Sequence, residues 1–394
     1  MNLTQRIVAL SDQLEEHTLK IRRAIHSHPE LSGQEYRTAD KICEYLDGWG
    51  IEYRRGAADT GIVALVRGER PGKTVGIRAD MDALPLTEEA GRSYGSQNPG
   101  VMHACGHDAH MTVALGAAKI LQALRGELAG NVKFFFQPAE ETTGGAKRMI
   151  EAGCLENPHV DYVLGLHVSS RYEAGSAGVR YGNMMAASDE FTVVVTGKSC
   201  HGAHPDQGTD AMVAAGAVLS GLQTLVSRNL APVNPAVCTV GKIHGGTAGN
   251  IICDRVQMDG ILRSVDPRTR EFLRERLRAM AENTARAYGG EAQVEFRPSY
   301  PALINTDAVV DVVKETACRL LGAEHVTLER EPDLGTEDFS YFAEARPACF
   351  WHLGCANFKR GIDADIHNCR FDLDEDCLAV GAAIQAEAAL ALLG

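Results

Sequence analysis

The sequence predicts an α/β protein, a mostly parallel-sheet α/β/α catalytic domain interrupted by an inserted ferredoxin-like domain of order βαββαβ. Three observations carry this expectation. Short apolar runs, Thr74–Ile77, Val132–Phe136 and Tyr162–Leu166, each lead into ionisable groups: Asp80 and Asp82, then Glu140 and Glu141, then His167. Segments with helical spacing alternate with these runs, which implies parallel strands and a ligand site beyond their carboxyl ends. From about Ser188 the order becomes strand, helix, strand, strand, helix, strand, the split βαβ unit.

The elements follow in order. Leu3 to His28 carries Ile7, Leu10, Leu14, Ile21 and Ile25 at helical spacing, and Thr38 to Trp49 reads as a second helix stopped by Gly50. Ile62–Val66 and Thr74–Ile77 read as strands. A helix is expected to start near Asp108, a plausible N-cap after the irregularity of Gly106, and to run through Met111–Leu124. The inserted set comprises strand Glu190–Gly197, helix Asp210–Arg228, strands Ala236–Ile243 and Asp254–Ser264, helix Arg268–Tyr288 and strand Ala292–Arg297. The α/β pattern then resumes with Ala308–Leu321, Ala348–Leu353 and Cys377–Leu393. The expected division is residues 1–187 with 299–394 for the catalytic domain, and 188–298 for the insertion.

Composition bounds the function. A chain of 394 residues suggests about two domains. With 45% hydrophobic and 23% charged residues it has the balance of a globular protein. The formal net charge of -13 argues against nucleic acid or an anionic membrane as general partner. No run resembles a secretion signal or a membrane span, and eleven cysteines without framework spacing read as reduced thiols, so a cytoplasmic location is expected.

The densest chemistry lies in Val101-Met-His-Ala-Cys-Gly-His-Asp-Ala-His110, which packs His103, Cys105, His107, Asp108 and His110 into eight residues. Imidazole and thiolate suit zinc, imidazole with carboxylate also suits manganese, and spacing alone does not choose the ligands. Glu140 and Glu141 are adjacent and can divide two jobs, one coordinating a metal and the other moving a proton of its water. The rival chemistry is a cysteine hydrolase with Cys105 as nucleophile and His107 or His110 as base.

Taken together the motifs resemble the M20 metallopeptidase family, most closely its amidohydrolase branch of hippurate hydrolases, N-acyl-amino-acid deacylases and plant auxin-conjugate hydrolases. The matching stretches are Ile25-His-Ser-His-Pro-Glu-Leu31, Arg78-Ala-Asp-Met-Asp-Ala-Leu-Pro85, Met102–His110, Gln137-Pro-Ala-Glu-Glu141, Gly165-Leu-His167 and His201-Gly-Ala-His-Pro205. They continue through Gly245-Gly-Thr-Ala-Gly-Asn250, Glu337-Asp-Phe-Ser-Tyr341 and His367 in Ile366–Asp372. The resemblance implies two divalent ions per subunit, Mn2+ or Zn2+, held by Cys105, His107, Glu141, His167 and His367, with Cys105 near both. It implies Glu140 as general base and His201 as a lid residue that reaches the oxyanion across a homodimer or higher homo-oligomer. Asn250 and Arg263 match positions that hold the carboxylate of the amino-acid half, a job that suits a guanidinium. Asp80 and Asp82 are expected to orient the metal-binding histidines.

The implied reaction is hydrolysis of the amide of an N-acyl amino acid by metal-activated water. Two other readings stay open: a dipeptidase or carboxypeptidase of the same family, and a non-catalytic acyl-amino-acid binding protein. Cys369, Cys200 and Cys253 depart from the commonest family pattern, where proline, glycine and proline stand. The expectation is harmless substitution; the alternative is that the extra thiols make activity oxidant-sensitive.

Overall fold

The computed structural model describes the backbone of residues 1–394 and every side chain except that of Pro298. The chain divides into two units, one of residues 1–182, 304–330 and 338–394, the other of residues 183–303 and 331–337.

An eight-stranded sheet organises the first unit, in the spatial order Glu52–Ala57, Gly61–Arg67, Ala129–Gln137, Arg70–Asp80, Tyr162–Glu173, Ala348–Ala356, Ala177–Val179, Val326–Leu328. Its four central strands run parallel to one another, and the strands flanking that block pair antiparallel with it, so the predicted mostly parallel sheet is present. Helices Leu3–His26, His107–Ala123 and Cys377–Leu393 pack together on one face. On the other face Phe135 stacks on Phe342 at 5.3 Å between ring centroids, and Phe339 meets Phe350 at 5.1 Å. A strand covered on both sides has no wet face to reserve for polar residues. That is why Phe134, Phe135 and Phe136 read as an unbroken apolar run, all three with no exposed surface. Each contributes about 2–3 kcal/mol by leaving water. Gly165 lies under Phe339, whose ring would meet an added Cβ at 2.7 Å, so this close approach needs glycine.

One helix start differs from expectation. The helix begins at His107 with Gly106 as N-cap at φ 85°, and Asp108 falls inside the first turn, where it is buried. Asp108 therefore does not cap the helix; it accepts from Arg22 and His26 instead. A carboxylate in a first turn still benefits from the positive helix end.

The second unit is a four-stranded antiparallel sheet, ordered Glu291–Pro298, Ala187–Thr196, Arg255–Ser264, Ala236–Gly245. Phe191, Val193, Val195, Val256, Met258 and Leu262 face helices Ala211–Leu222 and Pro267–Ala287, in the predicted βαββαβ order. The first helix starts where Asp210 accepts from Met212 N and Val213 N, and the second where Asp266 accepts from Thr269 N. The helical stretch predicted to reach Arg228 is interrupted at Gln223 and resumes as Thr224–Asn229. Among the described residues no helix is long and apolar enough to cross a membrane, and none of the eleven cysteines is in a disulfide.

Candidate metal centre

The carboxyl ends of the central strands converge on one place. Strand Arg70–Asp80 delivers Asp80 and, just beyond it, Asp82; strand Ala129–Gln137 leads to Glu140 and Glu141; strand Tyr162–Glu173 carries His167. Cys105 and His107 arrive from the helix start, and His367 from the loop after Ala348–Ala356. Cys105 with His107 and His167, Cys105 with Glu141 and His367, and His107 with Glu140 and Glu141 each bring ligand atoms within 4.8 Å of one another. The structure thus gathers Cys105, His107, Glu140, Glu141, His167 and His367, with Cys105 common to two of the groups.

Backbone strain marks these turns. Ala139, immediately before Glu140, has φ 59°, and His367 itself has φ 61°. Non-glycine residues take such angles at a cost of order 1–3 kcal/mol, sustained only where the surroundings over-determine them. Here the determinants are visible: Ala139 N donates to Glu35 Oε1 at 3.0 Å and His367 N donates to Ala104 O at 2.7 Å.

The histidines are aimed by main-chain carbonyls. His107 Nδ1 lies 2.8 Å from Asp82 O and His167 Nδ1 lies 2.7 Å from Val168 O. A carbonyl can only accept, so each Nδ1 donates and each Nε2 is turned toward the cluster. His167 Nε2 lies 3.3 Å from Cys105 Sγ, and His367 Nε2 lies 3.3 Å from Glu141 Oε1. The Asp82 carboxylate accepts from Glu140 N at 3.1 Å, from Glu141 N at 3.0 Å and from the Ser32 hydroxyl at 2.6 Å. One residue therefore fixes His107 by its carbonyl and the two glutamates by its side chain.

Asp80 works on different groups. It faces His110 Nδ1 at 2.6 Å and Arg78 Nη1 at 2.6 Å, and lies 3.7 Å from His107 Nε2. His110 Nε2 accepts from Val168 N at 2.9 Å, so both of its nitrogens are committed, and it is not a base for Cys105. His103 is buried with neither ring nitrogen hydrogen-bonded, and lies outside the donor groups. Of the three histidines in the motif, His107 groups with Cys105, Glu141 and His167, while His110 groups only with Asp80 and His107.

The cluster's electrostatics favour positive charge. Burial would lower the proton affinity of His107, but Asp80 and Cys105 outweigh it and hold the ring well above its usual range. Burial also acts against ionised Asp80, yet Arg78, His107 and His110 keep it well below the usual carboxylate range. Burial, reinforced by Glu141, pushes the Cys105 thiol well above its ordinary value, which makes it a poor nucleophile unassisted. His107 Nε2 and Glu141 Oε1, 3.9 Å apart, are buried and have no hydrogen-bond partner. Buried polar atoms left without a hydrogen bond are costly, and a divalent ion that displaced the His107 proton would engage both. The donor set of imidazole, carboxylate and thiolate therefore fits a borderline divalent ion.

Residues to which the sequence reading gave no role support this centre. Glu35, fully buried, holds Ala139 N and accepts from the Thr60 hydroxyl at 2.7 Å. Asp338 receives Arg78 Nη2, Gln137 Nε2, Gly145 N and Ala146 N, and so ties down the turn after Glu141. An arginine inside an apolar strand, as Arg78 is, was the one signal that buried acids must lie opposite.

His201, Asn250 and Arg263 belong to the second unit. Gly202 N donates to Asn250 O at 2.8 Å, and His201 pairs with Ile251, which stitches the loops of His201 and Asn250 together. Ala203 N donates to His201 Nδ1 at 3.0 Å, placing the neutral ring's proton on Nε2, and the residue is exposed. Arg263 is not brought to them. It pairs with Ser188 near one end of strand Arg255–Ser264, while Asn250 precedes the other end, about 25 Å away at ~3.3 Å per residue. Its Nη1 is buried without a hydrogen-bond partner. Cys200 Sγ donates to His204 O, Cys253 is buried in the core of this unit, and Cys369 lies beside Asn368 in the first unit.

Fold and site together define a hydrolase, and the chain belongs to peptidase family M20/M25/M40, which it matches over residues 76–391. It is 39% identical to thermostable carboxypeptidase 2 of Saccharolobus solfataricus, covering 97% of each chain. It is 40% identical to IAA-amino acid hydrolase ILR1-like 2 of Arabidopsis thaliana, over 98% of this chain and 87% of that one. Identity to N-acetyl-L-cysteine deacetylase of Bacillus subtilis is 37%, over 96% and 89%. Among solved structures it is similar to the YXEP protein of Bacillus subtilis, described as a dinuclear metal binding peptidase, with TM-score 0.86, 34% identity and 97% and 99% coverage.

Proposed function

We propose that this protein is a metal-dependent amidohydrolase that releases the free amino acid from N-acyl amino acids. The observation that carries the reading is the convergence of Cys105, His107, Glu141, His167 and His367, with His107 Nε2 and Glu141 Oε1 left facing each other. These five residues would hold two divalent ions, zinc or manganese. Bound there, the ions supply Lewis acidity, polarising the amide carbonyl and lowering the pKa of water toward ~7.

The chain's own groups do the rest. Glu140, whose backbone is fixed by Asp82, takes a proton from the attacking water and passes it to the departing amine nitrogen. His201, with its proton on Nε2, donates to the oxyanion of the tetrahedral intermediate. Asn250 and the unpartnered Arg263 Nη1 take the substrate carboxylate. One copy of the inserted domain has His201 and Asn250 at one end of its sheet and Arg263 at the other. A single small substrate meets all three only if two copies contribute, which supports a homodimer in which residues 183–303 act as lid and interface. The names of the deacetylase and the IAA-amino acid hydrolase support an acyl amino acid as substrate.

The second reading, a carboxypeptidase, is favoured by the similarity to the Saccharolobus enzyme. Metal analysis followed by a screen of N-acetyl, N-benzoyl and indole-acyl amino acids beside unblocked dipeptides, reading released amine, separates the two. Release from acyl amino acids, abolished by EDTA and restored by Zn2+ or Mn2+, is the expected result. Turnover that survives EDTA would point to Cys105 as nucleophile; turnover of dipeptides alone would point to the carboxypeptidase.

A further inference from the structure

The motif Ile25-His-Ser-His-Pro-Glu-Leu31 is left without a task by the site just described. Its His26 is fully buried and belongs to a closed ring of six charged side chains. Arg22 Nε meets Asp108 Oδ2 at 2.9 Å, and Arg22 Nη2 meets Asp372 Oδ1 at 2.9 Å. Arg92 Nε meets Asp372 Oδ2 at 3.0 Å, and Arg92 Nη1 meets Glu88 Oε1 at 2.7 Å. His26 closes the circuit, with Nε2 3.2 Å from Glu88 Oε1 and Nδ1 2.8 Å from Asp108 Oδ2. Signs alternate around the whole ring if His26 is positive.

Hydrogen bonding requires that it is. Both ring nitrogens face carboxylate oxygens, which accept and do not donate when ionised. The three acids stay ionised: burial opposes it, but Arg22 and His26 hold Asp108 far below the usual range, and Arg22 and Arg92 hold Asp372 below it. Glu88 is lowered to about 2, with burial outweighed by His26, the Ser96 amide and Arg92. Burial likewise works against the His26 proton, and Asp108 and Glu88 outweigh it. The groups around His26 are Asp108 and His103 from the motif and its helix, Glu88 and Tyr94 from the preceding loop, and Arg22 from its own helix.

The ring joins the two stretches that bear distant donors. Asp108 follows His107 directly. On the far side Arg92 Nη2 donates to Arg370 O at 2.7 Å, Glu89 N donates to Cys369 O at 2.9 Å, and Arg22 Nη1 donates to Glu375 Oε1 at 3.1 Å. All three acceptors lie on the loop that begins at His367. We propose that His26, as an imidazolium, locks this ring and so fixes the 366–375 loop against the helix start at His107, acting as a positioning residue for the candidate metal centre.

The consequence for catalysis rests on the reading of His367 as a ligand; the ring itself does not. Because the proton affinity of His26 is raised on folding, the lock is complete below the ordinary imidazole value of 6.5 and loosens as pH rises through the higher folded value. The test uses the full chain as purified. Nitrogen-15 spectra of the histidine rings should show both His26 nitrogens protonated at pH 6, with a titration midpoint above 6.5. In His26→Gln, amide exchange within 366–375 should quicken about tenfold or more, while exchange in helix Pro267–Ala287 stays unchanged. The gap from wild type should narrow above the His26 titration. Glu88→Gln, a second variant that keeps the imidazole, should lower the His26 proton affinity about tenfold. A His26 that titrates below 6.5, an unmoved 366–375 segment, or faster exchange spread evenly over the chain would each overturn the proposal. Failure of the metal-dependent reading would appear elsewhere, as turnover indifferent to chelation.

Discussion

Gly106→Ala probes how the helix start is set against the sheet. Gly106 sits at φ 85°, and an added Cβ would lie 2.3 Å from Val168 Cγ2 and 3.5 Å from the Phe371 ring. Two costs combine. The left-handed backbone costs an alanine roughly 1–2 kcal/mol, and forcing a methyl into a filled core costs about 1–3 kcal/mol. The expected loss is about 2–5 kcal/mol, at least a roughly thirtyfold change in the folding equilibrium at ~1.4 kcal/mol per decade. Val168 follows His167 and donates its N–H to His110, so yielding at this contact also shifts a metal-binding candidate. Urea unfolding of Gly106→Ala, Val168→Ala and the double variant separates the two terms. Val168→Ala removes the obstructing methyl and should recover about 1–3 kcal/mol in the double variant, leaving the backbone cost in place. A Gly106→Ala protein within ~0.5 kcal/mol of wild type, or two effects that simply add, would refute the reasoning.

Three further outcomes follow. Glu140→Gln should lower kcat by about 10²–10⁴ with metal content unchanged, as a lost proton carrier does; parallel loss of metal would mean that Glu140 is a ligand. Asp82→Ala removes the acceptor for Glu140 N and Glu141 N and should weaken metal retention about 10–100-fold, read by competition with a chromogenic chelator. Glu88, held at about 2 with burial outweighed by His26, the Ser96 amide and Arg92, contributes stability above its ordinary value of 4.5. That contribution is lost as pH falls toward 2, so the urea midpoints of wild type and Glu88→Gln should converge between about pH 5 and pH 2.

The strands were legible because the central sheet is covered on both faces and its strands are continuous apolar runs, as at Val132–Phe136. Glu140, Glu141 and His167 stood out because they follow those runs, whereas Cys105, His107 and His367 were singled out as ligands through the family resemblance. What one sequence could not show was pairing across distance. Glu35 reads as one more exposed acid until the Ala139 amide and the Thr60 hydroxyl are seen against it. Asp108 fits every local rule for an N-cap, yet Gly106 takes the left-handed turn that starts the helix, and Arg22, far earlier in the chain, claims the carboxylate. The choice among His103, His107 and His110 was likewise decided by partners, since Asp80 and the Val168 amide occupy His110 while the Asp82 carbonyl turns His107 inward.

The parallel pairing of Arg70–Asp80 with Tyr162–Glu173 has a bearing on how the molecule checks its own assembly. Side chains alternate along a strand, so slipping Tyr162–Glu173 by a single position would swing His167 to the opposite side and present Leu166 or Val168 in its place. Misaligned sheets would still be greasy and compact, but could not grip an ion with that ligand. On the proposed ligand set, cation capture would discriminate among near-equivalent alignments that hydrophobicity alone would tolerate, and metal loading would report whether the strands have found their proper neighbours.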